Sequence, residues 1–358
     1  MKKIALILAF FLVSFPAAAE RAAIVPESSR GNADFTGVEA FLELTALLEN
    51  DREPAPEQWD RLFATPGYAV LIKREFRREF FAERFRLAFM PSKRADCEAQ
   101  MKKDTGFWAQ FLPHDIRARD MRRAIERRIE ELRGMDINGR AVARARDLLP
   151  TGASADTPTV AFVIFAPDAR GSDPVVVDVL FSLDEKARFE DFIAHEFHHW
   201  YREQMVSLSQ DEETLWVINQ IHAEGIADLV DRADWPKKPS ESLNPREKGF
   251  MKLYAESPEV LRKLDEGFTE MAGMKMGRSR PGSELQKAVP MSGHPTGLYM
   301  AGLILEEFGR DALVRTVPNP FAFFRLYNKA AKAKRGDAPV FSEKALEFLK
   351  MLEKRYLD

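Results

Sequence analysis

His195-Glu196-Phe197-His198-His199 places two imidazoles and a carboxylate at H-E-x-x-H spacing. On a helix, residues four apart differ by only about 40° in direction and sit one turn apart, so His195 and His199 can grip one metal ion. Glu196 lies about 100° from His195, where its carboxylate reaches a water at the metal without being a ligand. That makes it a candidate general base. His198 points about 100° away from His199, off the apolar stripe formed by Phe189, Ile193, Phe197 and Trp200, and is expected to be exposed or to support a ligand from behind.

A catalytic zinc needs a third protein ligand and an open fourth position. The run His222-Ala223-Glu224-Gly225-Ile226-Ala227-Asp228 offers one. Glu224 and Asp228 are four apart and share a helix face, so Glu224 can bind the metal while Asp228 holds the free nitrogen of a histidine ligand. His222 lies about 200° from Glu224 and is the weaker candidate. Gly225 is costly inside a helix and would let the two metal-bearing helices approach closely. Zinc acidifies water and polarises a carbonyl, and with Glu196 as base this set suits amide hydrolysis. A donor for the developing oxyanion is expected from His294 or Tyr299 in Gly293-His294-Pro295-Thr296-Gly297-Leu298-Tyr299, although a loop histidine and a packed tyrosine are equally plain readings.

These residues need a rigid frame. Apolar groups spaced by three and four, as in Phe41, Leu44, Leu47 and Leu48, make residues 38–146 helical, with Pro54, Pro56, Pro66-Gly67 and Pro91 dividing the run into several helices. The strong strand patterns come together, at residues 159–165 (TVAFVIF) and 175–181 (VVVDVLF), and the turn-like 167–174 between them predicts a hairpin or adjacent strands. Ser182 and Glu185 have capping-box spacing, so a helix should start there and run through His195 to about Met205. A second helix is predicted from about Glu212 to Arg232, ended by Pro236 and Pro239. The chain then reads helical again, with 277–295 loop-like and bordering a cleft. The expected fold is α+β and predominantly helical, with a small β-sheet supporting two metal-bearing helices. The predicted organisation is a leader at 1–19, an N-terminal helical region at 20–150 that opens on a loose segment at 20–35, a zinc-binding catalytic core at 151–235 and a C-terminal helical region at 236–358. No internal repeat is present.

The HEFHH and EGIAD segments resemble the gluzincin metallopeptidases, in which a helix carrying HExxH is followed by a second helix carrying a glutamate ligand. They look in particular like uncharacterised bacterial families of zinc-dependent peptidases. The likeness covers roughly residues 182–232 and extends more weakly through 297–327. It implies a zincin-like core, zinc as cofactor, His195, His199 and Glu224 as ligands, Glu196 as base and Asp228 as the ligand-orienting carboxylate. The chain departs from thermolysin-like enzymes in reading EGIAD, without their Asn before the Glu.

Composition sets the remaining bounds. With 45% hydrophobic and 30% charged residues in 358, the chain can bury a full core. Lys2 and Lys3, the apolar run from Ile4 to Phe15 and Ala17-Ala18-Ala19 have the form of a secretory signal peptide cut before Glu20. The run is too short to span a bilayer, which needs about 20 residues, so the mature protein is expected to be periplasmic or secreted with no stable membrane insertion. Its loss removes two lysines and no acid, moving the net charge from −3 to −5. That balance gives no reason to expect nucleic acid as a partner, and the Arg-rich stretch 73–86 reads as a solvated helix face. Cys97 is the single cysteine, so no intrachain disulfide can form. The favoured reading is a zinc metallopeptidase acting on a peptide or protein. A hydrolase of another amide would use the same residues, and a non-catalytic periplasmic binding or scaffold protein with a structural or vestigial metal site is the rival from a different class. Oligomeric state has no sequence signature here.

Overall fold

The computed structural model describes residues 33–206, 208, 212–273, 280–334, 336 and 338–357. The predicted leader at 1–19 and most of the loose segment after it lie outside them.

Among the described residues, eight helices lie between the first strand of the sheet and the other three: α1 (Thr36–Leu48), α2 (Pro56–Ala64), α3 (Pro66–Arg74), α4 (Arg78–Phe89), α5 (Arg94–Lys103), α6 (Phe111–Asp120), α7 (Arg122–Arg133) and α8 (Ile137–Arg146). Proline stands at the first position of α2 and α3, where its fixed φ suits a helix and its missing N–H costs nothing. The apolar face of α1 buries Val38, Phe41, Leu44 and Leu48. Phe41 meets Phe85 and Phe89 of α4 edge-on at 5.0 and 5.6 Å between centroids, the favoured geometry for aromatic pairs. Cys97 is buried on α5.

The sheet has four strands, β1 (Ala33–Asp34), β2 (Val160–Val163), β3 (Ala169–Arg170) and β4 (Val175–Asp178), in the order β1-β2-β4-β3. Together with the preponderance of helix this makes the fold α+β, as the sequence predicts. The two strong strand patterns are neighbours, paired in parallel with Val160 opposite Val175, and the short β3 between them forms the antiparallel hairpin with β4. Every residue of β2 and β4 is buried, which is why both read as unbroken apolar runs rather than as alternation. The second run stops being strand at Asp178. Its Oδ2 accepts from Phe165 N at 2.8 Å and its Oδ1 from Phe181 N at 3.0 Å, so Asp178 caps a short helix, α9 (Val179–Asp184), where a longer strand was expected. Ser182 does not open the metal-bearing helix either. Its hydroxyl bonds back to Val179 O at 2.7 Å inside α9, and the next helix starts only after a 3₁₀ turn at Lys186–Arg188.

That next helix, α10 (Phe189–Glu203), carries His195-Glu196-Phe197-His198-His199, and α11 (Glu213–Asp231) carries Glu224 and Asp228. They are followed by α12 (Pro245–Ala255), α13 (Ser257–Ala272), α14 (Arg280–Ala288), α15 (His294–Phe308), α16 (Arg310–Val314), α17 (Pro320–Ala333) and α18 (Glu343–Tyr356). The loop expected at 277–295 is therefore interrupted by α14. Buried apolar side chains from Phe35 to Leu352 join in one continuous core. No helix among the described residues is long and apolar enough to cross a membrane.

Two glycines fix how the helices cross. A Cβ on Gly225 of α11 would lie 2.5 Å from the backbone of Gly297 in α15, and one on Gly297 would lie 2.2 Å from Ile221 O. Backbone cannot yield to such overlaps, so α11 and α15 touch only because both positions lack a side chain. Gly225 thus serves the approach of α15, not of α10 as the sequence suggested. Directly before α15, Met291, Ser292 and Gly293 all have positive φ (46°, 51° and 95°). The first two pay for a left-handed turn that swings His294 onto α11.

Candidate metal centre

Three side-chain atoms converge between α10 and α11. His199 Nε2 lies 3.0 Å from His195 Nε2 and 3.0 Å from Glu224 Oε2, and His195 Nε2 lies 3.4 Å from the same oxygen. The single turn between the histidines aligns their rings, and Glu224 arrives from the facing helix. His195 is buried and its Nδ1 lies 3.0 Å from Asp231 Oδ1. A carboxylate there only accepts, so Nδ1 carries a hydrogen and Nε2 is the nitrogen turned toward His199 and Glu224.

The surrounding charges reinforce this. Burial would raise the Glu224 carboxyl, but His199, His294 and His195 around it hold it well below the usual range, so it is ionised. Burial would lower His195, yet Asp231 and Glu224 outweigh it and lift the imidazole well above its ordinary value. A metal entering this site therefore displaces protons.

Glu196 sits beside this trio and is only 7% exposed. Among the described residues nothing hydrogen-bonds its carboxylate. Burial raises its pKa, against the pull of His195 and His199, which strengthens it as a proton acceptor. Gly171, just past the edge strand β3, makes room for it: a Cβ there would lie 2.7 Å from His199 Cβ and 3.2 Å from Glu196 Oε2. The loop from β2 to β3 is tied down by Arg84, which forms a bidentate pair with Asp115 at 2.7 and 2.8 Å and donates to Phe165 O at 3.1 Å. A cleft of about 1290 Å³ opens over the centre, lined on one side by Asp168, Ala169, Arg170 and Gly171 and on the other by His195, Glu196, His199 and Glu224.

A family model described as "putative zinc dependent peptidase (DUF5700)" matches residues 59–336, more than half of the chain. The chain belongs to this family. No curated protein and no solved structure matches it.

The residues present fit the zinc of the DUF5700 family. Tetrahedral ligands at zinc–nitrogen and zinc–oxygen distances of about 2.1 Å stand roughly 3.3–3.4 Å from one another, and the three donor atoms here are 3.0, 3.0 and 3.4 Å apart. Two neutral imidazole nitrogens and one carboxylate oxygen are also the donor chemistry of a catalytic zinc. His195, His199 and Glu224 would hold the ion.

The structure redistributes several other candidates. His294 lies in the cleft, its Nδ1 3.0 Å from Asp228 Oδ1 and 3.3 Å from Glu224 Oε2, with its ring stacked 5.7 Å from that of His195. Tyr299, five residues further along α15 and so about 140° around it, faces a separate cavity with Tyr254 and does not reach the metal-binding cleft. His198 is fully buried rather than exposed, because α8 covers that side of α10; its Nε2 lies 3.3 Å from Leu148 O, and burial drives its pKa well down. His222 is turned away, its Nδ1 accepting from Arg202 and its ring against Phe323.

Asp228 also has a different partner from the one expected. It lies 3.6 Å from His195 Nδ1 but 3.0 Å from His294 Nδ1 and is bound by Arg232. The carboxylate that orients His195 is Asp231, which sequence reasoning passed over although it sits seven residues beyond Glu224, two turns along the same face. Arg188 and Arg232 hold Asp231 in place at 3.3 and 3.1 Å. Asp231→Asn is expected to weaken zinc binding by about 10- to 100-fold, the usual cost of losing a carboxylate behind a histidine ligand. Asp228→Asn should cost less. Zinc titration against a competing chelator checks the order, and a larger loss in the Asp228 variant would reverse the assignment.

Proposed function

We propose that this protein is an exported zinc peptidase in which Glu196 is the general base. The observation that carries this reading is the position of Glu196: it shares the cleft with the three converging ligand atoms, is buried, and has no hydrogen bond or ion pair among the described residues. A purely structural metal site would need no such carboxylate and would close its fourth position. Zinc, when bound, supplies Lewis-acid chemistry that acidifies water and polarises a carbonyl.

The protein's own groups do the rest. Glu196 accepts a proton from the attacking water at a carboxylate oxygen and returns it to the nitrogen of the departing amine. His195, fixed by Asp231, and Glu224, on the facing helix, keep the donor set rigid while this happens. His294, anchored through Nδ1 on Asp228, presents its Nε2 as a donor to the oxygen on which negative charge develops. Burial would lower His294, but Glu224 and Asp228 raise it, which favours the protonated, donating form. The arrangement of a sheet edge, an HExxH helix and a glutamate helix supports a zincin-like core. The Lys2-Lys3 start, the apolar run and the alanine triplet support export to the periplasm or medium.

Incubation of the zinc-loaded mature protein with a mixed peptide library, read by mass spectrometry, tests the reading. Cleavage is expected to stop on chelation and to return with one equivalent of zinc. Full zinc occupancy with no cleaved peptide would favour the scaffold reading.

A further inference from the structure

Three arginines line the cleft, Arg74, Arg170 and Arg202. Two already have carboxylate partners: Arg170 meets Glu75 at 2.8 Å and Asp168 at 2.6 Å, and Arg74 meets Glu203 at 3.6 Å. Arg202 has none among the described residues, although it is the most buried of the three at 3% exposure. Its Nε and Nη2 donate to neutral acceptors on α11, His222 Nδ1 at 3.2 and 2.8 Å and Asn219 Oδ1 at 2.7 Å. Nη1 has no hydrogen-bond partner among the described residues.

A buried cation with no carboxylate in contact among the described residues, and with Glu224 and Glu203 acting on it only from further away, is costly, and a ligand carboxylate would offset that cost. Burial lowers the Arg202 pKa to about 10, which leaves the guanidinium charged at neutral pH. Its position is also specific. Arg202 follows His199 by three residues, about 4.5 Å along α10 and on the same side, and its guanidinium is held by His222 and Asn219, two and five residues before Glu224 on α11. His222 and Asn219 take the N–H of Nε and both N–H groups of Nη2, which leaves the two on Nη1. A guanidinium N–H pair of this kind takes a carboxylate oxygen in a charge-assisted hydrogen bond.

We propose that Arg202 binds a carboxylate of the peptide substrate, one or two residues beyond the bond that is cut. An extended residue spans about 3.3 Å and Arg202 stands about 4.5 Å along α10 from His199, a spacing that suits either the C-terminal carboxylate of a short leaving segment or an acidic side chain at the same place. The proposal rests on the peptidase reading and gives that reading a substrate class: peptides ending in a free carboxylate, or acidic just past the cleavage point.

Calorimetric binding to zinc-loaded Glu196→Gln protein, which should not consume its ligand, tests it with two peptide pairs. One pair differs only in a free or amidated C-terminus. The other, amidated throughout, differs only in an internal Glu or Gln. One member of a pair should bind about 10- to 100-fold more tightly, the range for hydrogen bonds to charged groups; a ratio in the first pair identifies the chain terminus and a ratio in the second the side chain. Arg202→Gln should collapse that ratio to about one while leaving the amide's affinity within about threefold, and Arg202→Lys should keep part of it. Equal affinities within both pairs would overturn the proposal without any Arg202 variant, as would a ratio that survives Arg202→Gln. If the protein with Glu196 intact cleaves peptides but the ratios are flat, only the carboxylate assignment fails. If it cleaves none and binds none, the peptidase reading fails and takes the proposal with it.

Discussion

His195→Ala and His199→Ala should each purify with little or no zinc, where the unaltered chain carries about one ion. Each histidine contributes one of three donor atoms, and all three lie within 3.0 to 3.4 Å of one another, so each variant leaves a two-ligand remnant. Such a remnant loses more than one bond. Glu224, Asp228 and Asp231 are crowded into the same buried pocket, and without the His195 ring between them their mutual repulsion is left to Arg188, Arg232, His199 and His294 to balance. His195→Ala is therefore expected to lower the stability of the metal-free protein as well, while His199→Ala, whose ring is more exposed and pairs within 4 Å with Glu224 but with neither Asp228 nor Asp231, should do so less. His222→Ala is the internal control: it removes a buried imidazole of α11 that faces Arg202 and Phe323, and should leave the zinc content near one. Metal analysis by plasma emission after dialysis decides it. Full zinc retention in both His195 and His199 variants would place the metal elsewhere.

Much of this site was legible because helix periodicity is local. The spacing of His195, Glu196 and His199 and the shared face of Glu224 and Asp228 depend only on the turn of one helix, and α11 falls within one residue of its expected bounds. What the sequence could not reveal depends on which helix covers which face. His198 looks free on a helical wheel of α10 but is buried by α8 and by Leu148 just after it, 50 residues away in sequence. Tyr299 and His294 share one motif, yet α15 sends them into different cavities. Asp231 carried a usable signal, since it lies two turns from Glu224, but the nearer Asp228 satisfied the same reasoning, and only the tilt of α11 against α10 chooses between them.

The sheet was legible in part. The two apolar runs, with nine residues between them, are adjacent strands, one of the two arrangements expected, but they pair in parallel because both are buried on both faces, and the hairpin is made instead by the short strand in the intervening segment. Gly225 was read correctly as a site of close approach but against the wrong partner, because the facing glycine, Gly297, lies on a helix whose packing has no local signal.

The central claim joins metal and base in one catalytic centre, and Glu196→Gln tests that union most directly. The amide has nearly the shape of the carboxylate, and Glu196 is outside the set of converging donor atoms, so zinc content should stay at about one per chain and the fold should be intact. What disappears is the proton acceptor, and peptide cleavage by the zinc-loaded variant should fall by about 10²- to 10⁴-fold, the contribution of a positioned general base. Zinc content and cleavage rate measured on the same preparation give both halves of the answer. Full zinc with activity reduced to that extent is the predicted result; full zinc with the unaltered cleavage rate would contradict the account.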